Sequence, residues 1–365
     1  MIGETICQLA RRLMRHPAAP YHEHAVRAEV ESICTEYGLR FERDQFGNVL
    51  VRLRTAARQR PLVLAAHLDH PGFEIIGCRS PTAWLARFRG GVADDYFRAG
   101  IPVRLMPGEA PAKLGRRKGT RTFKLQTKNH AGKDACAPRF AVWELEDFSM
   151  RRGQIHGRAC DDLIGVAAVL ATIIELKRKK ARAHVLGVIS RAEEIGFHGA
   201  LACAASRSLP KNSLVISIET SRELPGVKMG QGVILRVGDR TSIFDPEATR
   251  FLAGVASGLV SERNGFQFQR GLMSGGTCEG TAYQEFGFQT AAVCVALGNY
   301  HNCAARNRIA AEYVNVADAC GMVQLLVAVA KQMPRYAKLT SKLPEGLTEM
   351  LREARKKLRA TARFS

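Results

Sequence analysis

The chain has 365 residues, 46% hydrophobic and 24% charged, a balance that excludes a disordered or low-complexity protein. Its formal net charge of +20 raises nucleic acid as a partner. Yet the basic runs Lys113–Lys133 and Lys331 to the C-terminus lack interleaved aromatics and any recognisable binding module, and read as solvated faces. The best apolar run, Leu163–Ile174, falls short of the ~20 residues of a membrane helix. The N-terminus has no secretion-signal core, and ten scattered cysteines without a CxxC pair read as reduced thiols of a cytoplasmic protein.

In chain order, periodicity predicts helices over Glu4–Met14 and around His24–Tyr37, then two strands joined by a turn at Phe46-Gly47-Asn48. Pro61–Ala66 is a short apolar run of buried-strand character, with His67 directly after it. From Glu74 to Gly153 the chain is rich in Gly, Pro and Arg, with short β-like runs (FEIIGC, AWLARF, IPVRLM, TFKLQT, FAVWEL) at hairpin spacing, which reads as an all-β insertion. Leu163–Leu176 is apolar on every side, a helix buried on all faces, and Asp161-Asp162 stand at its start. Strands at Val185–Ile189, Leu214–Ile218 and Thr290–Ala296 precede Glu193-Glu194, Glu219 and His301 respectively. Helical stretches lie near His198–Ser206, Ala248–Leu259 and Val316–Lys331. The alternation predicts a three-layer α/β fold, its sheet mixed but largely parallel with helices on both faces, and a small all-β inserted domain. The expected division is a discontinuous catalytic domain (1–73 and 154–333), the insertion (74–153) and a basic charged tail (334–365).

Ligands of such sheets bind beyond the carboxyl ends of the strands. Singly, each candidate has a plain explanation: His67 and His301 as loop histidines, Asp161 as a helix cap, Glu219 as a strand-end residue. Together, histidine nitrogens and carboxylate oxygens at one sheet edge form the donor set expected for zinc, cobalt or manganese. In His67-Leu68-Asp69 the carboxylate is placed to orient the histidine ring. Asp161, Glu194 and Glu219 supply three negative charges, which two divalent cations and a bridging hydroxide would nearly neutralise, with Asp161 able to bridge. Glu193 is then the carboxylate left to accept a proton. Ser274–Gly280 (SGGTCEG) lacks a phosphate-loop ending and reads either as a pocket wall or as a tight turn.

The segments AAHLDHPGFEI, CDDLIGVAAVL and RAEEIGFHGA, and the late HN with GGTCEG upstream, resemble the M42 family of dinuclear-metal aminopeptidases, whose catalytic core is shared by the M28 and M20 families. The resemblance spans about Ile2 to Met333. Carried over by position, it implies His67, Asp161, Glu194, Glu219 and His301 as ligands of two divalent ions, most simply zinc. It implies Glu193 as general base and Asp69 as the residue orienting His67. An insertion between His67 and Asp161 is where M42 enzymes carry their oligomerisation domain, which implies a homo-oligomer, up to a dodecameric shell. The sequence departs from the family pattern at Glu219 (usually Asp), Leu163 (commonly basic), Cys278 (usually Asp) and His70 (often Glu). The implied activity is removal of N-terminal residues from peptides, without a membrane or nucleic-acid partner. An N-acyl amino acid hydrolase on the same core, or an inactive basic scaffold, are the alternatives.

Overall fold

Two amphipathic helices open the chain because their apolar residues recur at helical spacing. Helix α1 (Ile2–Met14) buries Ile6, Leu9, Ala10, Leu13 and Met14, and α2 (His24–Glu36) buries Val26, Val30, Ile33 and Cys34. The computed structural model describes residues 2–127, 137–206, 208–262, 265–341 and 345–362. Strands β1 (Arg40–Arg43) and β2 (Val49–Arg54) form an antiparallel hairpin, and β3 (Leu62–His67) is buried at every position.

The next six strands are β4 (Gly72–Ser80), β5 (Ala83–Arg89), β6 (Pro102–Met106), β7 (Ala110–Gly119), β8 (Thr122–Thr127) and β9 (Phe140–Trp143). They close into a barrel in the order β4-β5-β8-β7-β6-β9. Its interior is aromatic: Phe73 meets Phe88 and Trp143 edge-on, both with ring centroids 4.9 Å apart. Strand β7 is not among the expected runs, because its sequence APAKLGRRKG is charged. Only Ala112 and Leu114 enter the barrel core, while Lys113, Arg116, Arg117 and Lys118 are exposed. Residues 128–133 of that basic run lie outside the described residues.

Strands β10 (Ser149–Arg151) and β11 (Gln154–Gly157) lead into α3 (Cys160–Arg178). Asp161 and Asp162 have non-helical backbone angles, so the regular helix starts at Leu163. Asp162, rather than Asp161, caps it: Asp162 Oδ1 accepts the Gly165 N–H at 3.3 Å. A Cβ at Gly165 would sit 2.2 Å from Asp162 Oδ2, so glycine there permits the cap. The carboxylate of Asp161 is thereby left for other partners.

The rest of the chain runs β12 (His184–Ser190), α4 (His198–Ala205), β13 (Leu214–Arg222), β14 (Val233–Gly238), α5 (Pro246–Ser261), β15 (Phe268–Leu272), α6 (Glu279–Glu285) and β16 (Gln289–Gly298). It closes with β17 (Cys303–Ala304), β18 (Arg308–Ile309), β19 (Glu312–Asn315), α7 (Val316–Gln332), α8 (Tyr336–Ser341) and the exposed charged α9 (Glu345–Thr361). The main sheet has the order β1-β2-β12-β3-β13-β16-β19-β11-β10, with β14 and β15 branching from β16. Its centre, β12-β3-β13-β16, is parallel. The flanks pair antiparallel apart from β14 with β15, so the sheet is mixed rather than largely parallel.

Side-chain alternation divides the central strands between two cores. Leu62, Leu64 and Ala66 of β3 join Leu214, Ile216 and Ile218 of β13 under α1, α3 and α7, whereas Val63, Ala65 and Val215 face α4 and α6. Helix α3, apolar all round, fills the first core. Among the described residues, the helical stretch long and apolar enough to cross a membrane is Val316–Thr340, not Leu163–Ile174, and 56% of its most apolar 18 residues are buried inside the protein. Ile173 is fully buried between α3 and the sheet. Ile173→Ala should lower unfolding free energy by about 2–5 kcal/mol, read as a lower urea midpoint at unchanged slope.

Candidate metal centre

The parallel strands deliver the site because their carboxyl ends are in register. Ser217 of β13 pairs with Ala65 of β3, so Glu219 and His67, each two residues further on, share a level and a face. Ser190, the last residue of β12, pairs with His67 itself, which brings Glu193 and Glu194 alongside. Glu219 lies within β13, which runs on to Arg222, rather than after its end. Strand β16 leads to His301 in a left-handed backbone conformation (φ 53°).

Five of the candidate side chains surround Asp161. Its Oδ1 lies 3.5 Å from His67 Nε2 and its Oδ2 lies 3.5 Å from His301 Nε2. His67 Nε2 is also 3.9 Å from both Glu219 Oε2 and Glu193 Oε2, and His301 Nε2 is 3.2 Å from Glu194 Oε2. Donor atoms therefore gather into the sets His67–Asp161–Glu219, Asp161–Glu194–His301 and His67–Glu193–Glu194. Zinc bonds of roughly 2.0–2.1 Å in tetrahedral geometry place two ligand atoms roughly 3.3 Å apart, close to the separations around Asp161. Asp161 Oδ1 and Glu194 Oε1 are buried with no hydrogen-bond partner among the described residues. The donor set fits divalent cations.

Both histidines have Nε2 free for the cluster. His301 Nδ1–H donates to the Gly91 carbonyl at 2.7 Å, and the His301 ring stacks on Tyr300 at a centroid distance of 3.7 Å. His67 Nδ1–H donates to the Asp69 backbone carbonyl at 3.1 Å, while the Asp69 carboxylate stands 3.7 Å away. The expected carboxylate–histidine bond is thus a carbonyl–histidine bond. Asp69 instead accepts the Glu193 N–H at 2.9 Å and the Glu194 N–H at 3.1 Å.

Burial and crowding shift the titrations together. Burial, with Glu219, Glu194 and Asp69 adding, raises Glu193 well above the usual carboxylate range against the pull of His67. Burial likewise pushes Glu219 up to about 7. Burial opposes ionisation of Asp161, but His301 and His67 hold its carboxyl below the ordinary value. Burial would lower both histidines; Glu193 foremost for His67 and Glu194 for His301 raise them well above the usual imidazole range.

Several contributors carry no local sequence signal. Buried Glu312 accepts the Asp161 N–H at 3.0 Å and the His301 N–H at 2.8 Å, tying both residues to β19. His70 Nδ1–H donates to the Asp161 carbonyl at 2.7 Å. Glu279, buried behind the cluster, accepts from Ser190 Oγ at 2.6 Å, and burial pushes it up to about 8. The cluster opens into a cleft lined by Arg222, Leu224, Met273, Thr277 and Tyr300 among others. Gly275 to Cys278 of the glycine-rich segment form part of its wall.

Comparison with known proteins agrees with this geometry. Residues 137–315 match the family model described as M42 glutamyl aminopeptidase. Among solved structures, the TET1 peptidase of Pyrococcus horikoshii, described as assembling into a tetrahedron or a large octahedral shell, superposes with a TM-score of 0.73 at 22% identity, covering 89% of this chain and 99% of that one. The aminopeptidase APDkam598 of the archaeon Desulfurococcus kamchatkensis gives 0.75 at 19% identity, covering 94% and 99%. The TET aminopeptidase of a marine sediment thaumarchaeote gives 0.76 at 19%, covering 92% and 99%. At these identities the likeness is one of fold.

Proposed function

We propose that this chain, which belongs to the M42 peptidase family, is an aminopeptidase that uses two divalent cations to remove N-terminal residues from peptides. His67, Asp161 and Glu219 would hold one cation and Asp161, Glu194 and His301 the other, with zinc the favoured ion and cobalt or manganese as alternatives. The observation that carries the reading is Asp161, which turns one carboxylate oxygen to each histidine. Bound there, such cations supply Lewis-acid polarisation of a scissile carbonyl and make a water acidic enough to react near neutral pH.

Glu193 belongs to neither Asp161-centred set, yet its Oε2 stands 3.9 Å from His67 Nε2 at the same opening. It takes the proton of the attacking water and returns it to the departing amine. The His301–Gly91 and His67–Asp69 bonds orient both rings with Nε2 toward the cluster. The nine described cysteines are free thiols, which suits a cytoplasmic enzyme. We further propose self-association through the barrel of β4–β9, by analogy with the shell-forming Pyrococcus peptidase.

Neighbouring glutamates separate the roles. Glu194→Gln should lose bound metal and turnover together, because it removes an anionic ligand. Glu193→Gln should retain both metals and lose a factor of roughly 10²–10⁴ in kcat with little change in KM. Metal content and hydrolysis of aminoacyl chromogenic amides, measured on both variants with and without chelator, check this. A metal-depleted Glu193→Gln beside a loaded Glu194→Gln would reverse the assignment, and cleavage of N-acetylated amides alone would indicate the N-acyl hydrolase. Light scattering should give a mass several times the 40.1 kDa of one chain; a strict monomer at micromolar concentration contradicts the assembly.

A further inference from the structure

The turn Arg191–Glu194 carries the two glutamates, and each of its four backbone N–H groups is held by a side chain from elsewhere in the chain. Arg191 N–H donates to Asn48 Oδ1 at 3.1 Å, and Ala192 N–H to Glu23 Oε1 at 3.1 Å. Glu193 and Glu194 donate to Asp69. Glu23, Asn48 and Asp69 are each 1% exposed or less. Ala192 sits at φ 52°, a left-handed conformation that disfavours a non-glycine residue unless its surroundings hold it.

Glu23 is the least expected of the three. It stands at the N-terminal cap of α2, yet its side chain makes no capping bond to that helix. Oε1 accepts from Tyr21 N–H at 2.9 Å as well as from Ala192, and Oε2 accepts from Arg191 Nε at 2.9 Å. The Arg191 guanidinium also reaches the Phe46 carbonyl at 2.9 Å and the Tyr21 carbonyl at 3.2 Å. A buried carboxylate costs several kcal/mol unless paired, and here every partner belongs to the turn or to the segments it packs on. At the far side, Gly199 lets the chain close on the turn: a Cβ there would lie 2.4 Å from the Arg191 carbonyl oxygen.

We propose that Glu23, through its ion pair with Arg191 and its bond to Ala192, is a positioning residue that sets the carboxylates of Glu193 and Glu194 for catalysis. The proposal rests on the functional reading above, in which Glu193 moves the proton and Glu194 holds a cation. Both carboxylate oxygens of Glu23 face donors. In Glu23→Gln the amide NH₂ must therefore oppose either Arg191 or the Tyr21 and Ala192 N–H groups, and one side of the clamp opens.

The test uses the full-length protein loaded with cobalt. Glu23→Gln should bind the wild-type number of cobalt ions at saturation but show an altered visible absorption spectrum. It should lose about 10–100-fold in kcat with KM within about threefold, and Glu23→Asp, which keeps the charge, should recover part of the loss. A folded Glu23→Gln with wild-type spectrum and kcat overturns the proposal. Should Glu23→Gln not fold, Arg191→Met carries the same readouts. If neither folds, the pair is a folding element and the positioning role is refuted. Failure of the functional reading looks different: the wild type itself then shows no chelator-sensitive turnover, or Glu193→Gln leaves turnover intact.

Discussion

Buried negative charge is the constraint to which the rest of the structure answers. Asp161, Asp162, Glu193, Glu219, Glu279 and Glu312 are all nearly withdrawn from solvent around one sheet edge. An uncompensated carboxylate in such surroundings is strongly unfavourable. Compensation comes in three forms. Backbone N–H groups serve Asp69, Asp162 and Glu312, hydroxyl and guanidinium groups serve Glu279 and Glu23, and the two histidines serve Asp161. What remains, centred on Asp161 and Glu194, is a surplus of oxygen donors that divalent cations would satisfy.

The scaffold meets that constraint by combining register with remote anchoring. Parallel pairing of β12, β3 and β13 aligns the chain ends that bear the donors. The barrel is coupled to the same edge rather than appended to it. Gly91, just after β5, orients His301, Tyr96 OH donates to the Ala304 carbonyl at 3.1 Å, and Cys303 and Ile309 pack against the barrel core. Self-association through the barrel would therefore act on the loop that carries one of the donors.

The sequence reveals those parts of the site that follow from local pattern. His67, Glu193-Glu194 and His301 stand just beyond, or at the end of, apolar strand-like runs, and Asp161 stands at the mouth of an all-apolar helix. Any parallel sheet gathers such positions at one edge. Glu219 is legible for the same reason, although its strand continues beyond it. Glu312, Glu23 and Asn48 are not legible, because their partners lie far away in sequence and only tertiary packing creates the contact. Strand β7 is hidden by a basic outer face that outweighs two inward residues. The extent of antiparallel pairing is hidden as well, because helix–strand alternation describes the parallel centre and says little of the flanks.

The central claim is that Asp161 lies between two cations. Crystals grown with zinc or cobalt, with anomalous diffraction collected at that metal's absorption edge, test it most directly. Two peaks are predicted, one against His67 and Glu219 and one against His301 and Glu194, with an oxygen of Asp161 on each. A single peak, peaks remote from Asp161, or none under saturating metal would contradict the account.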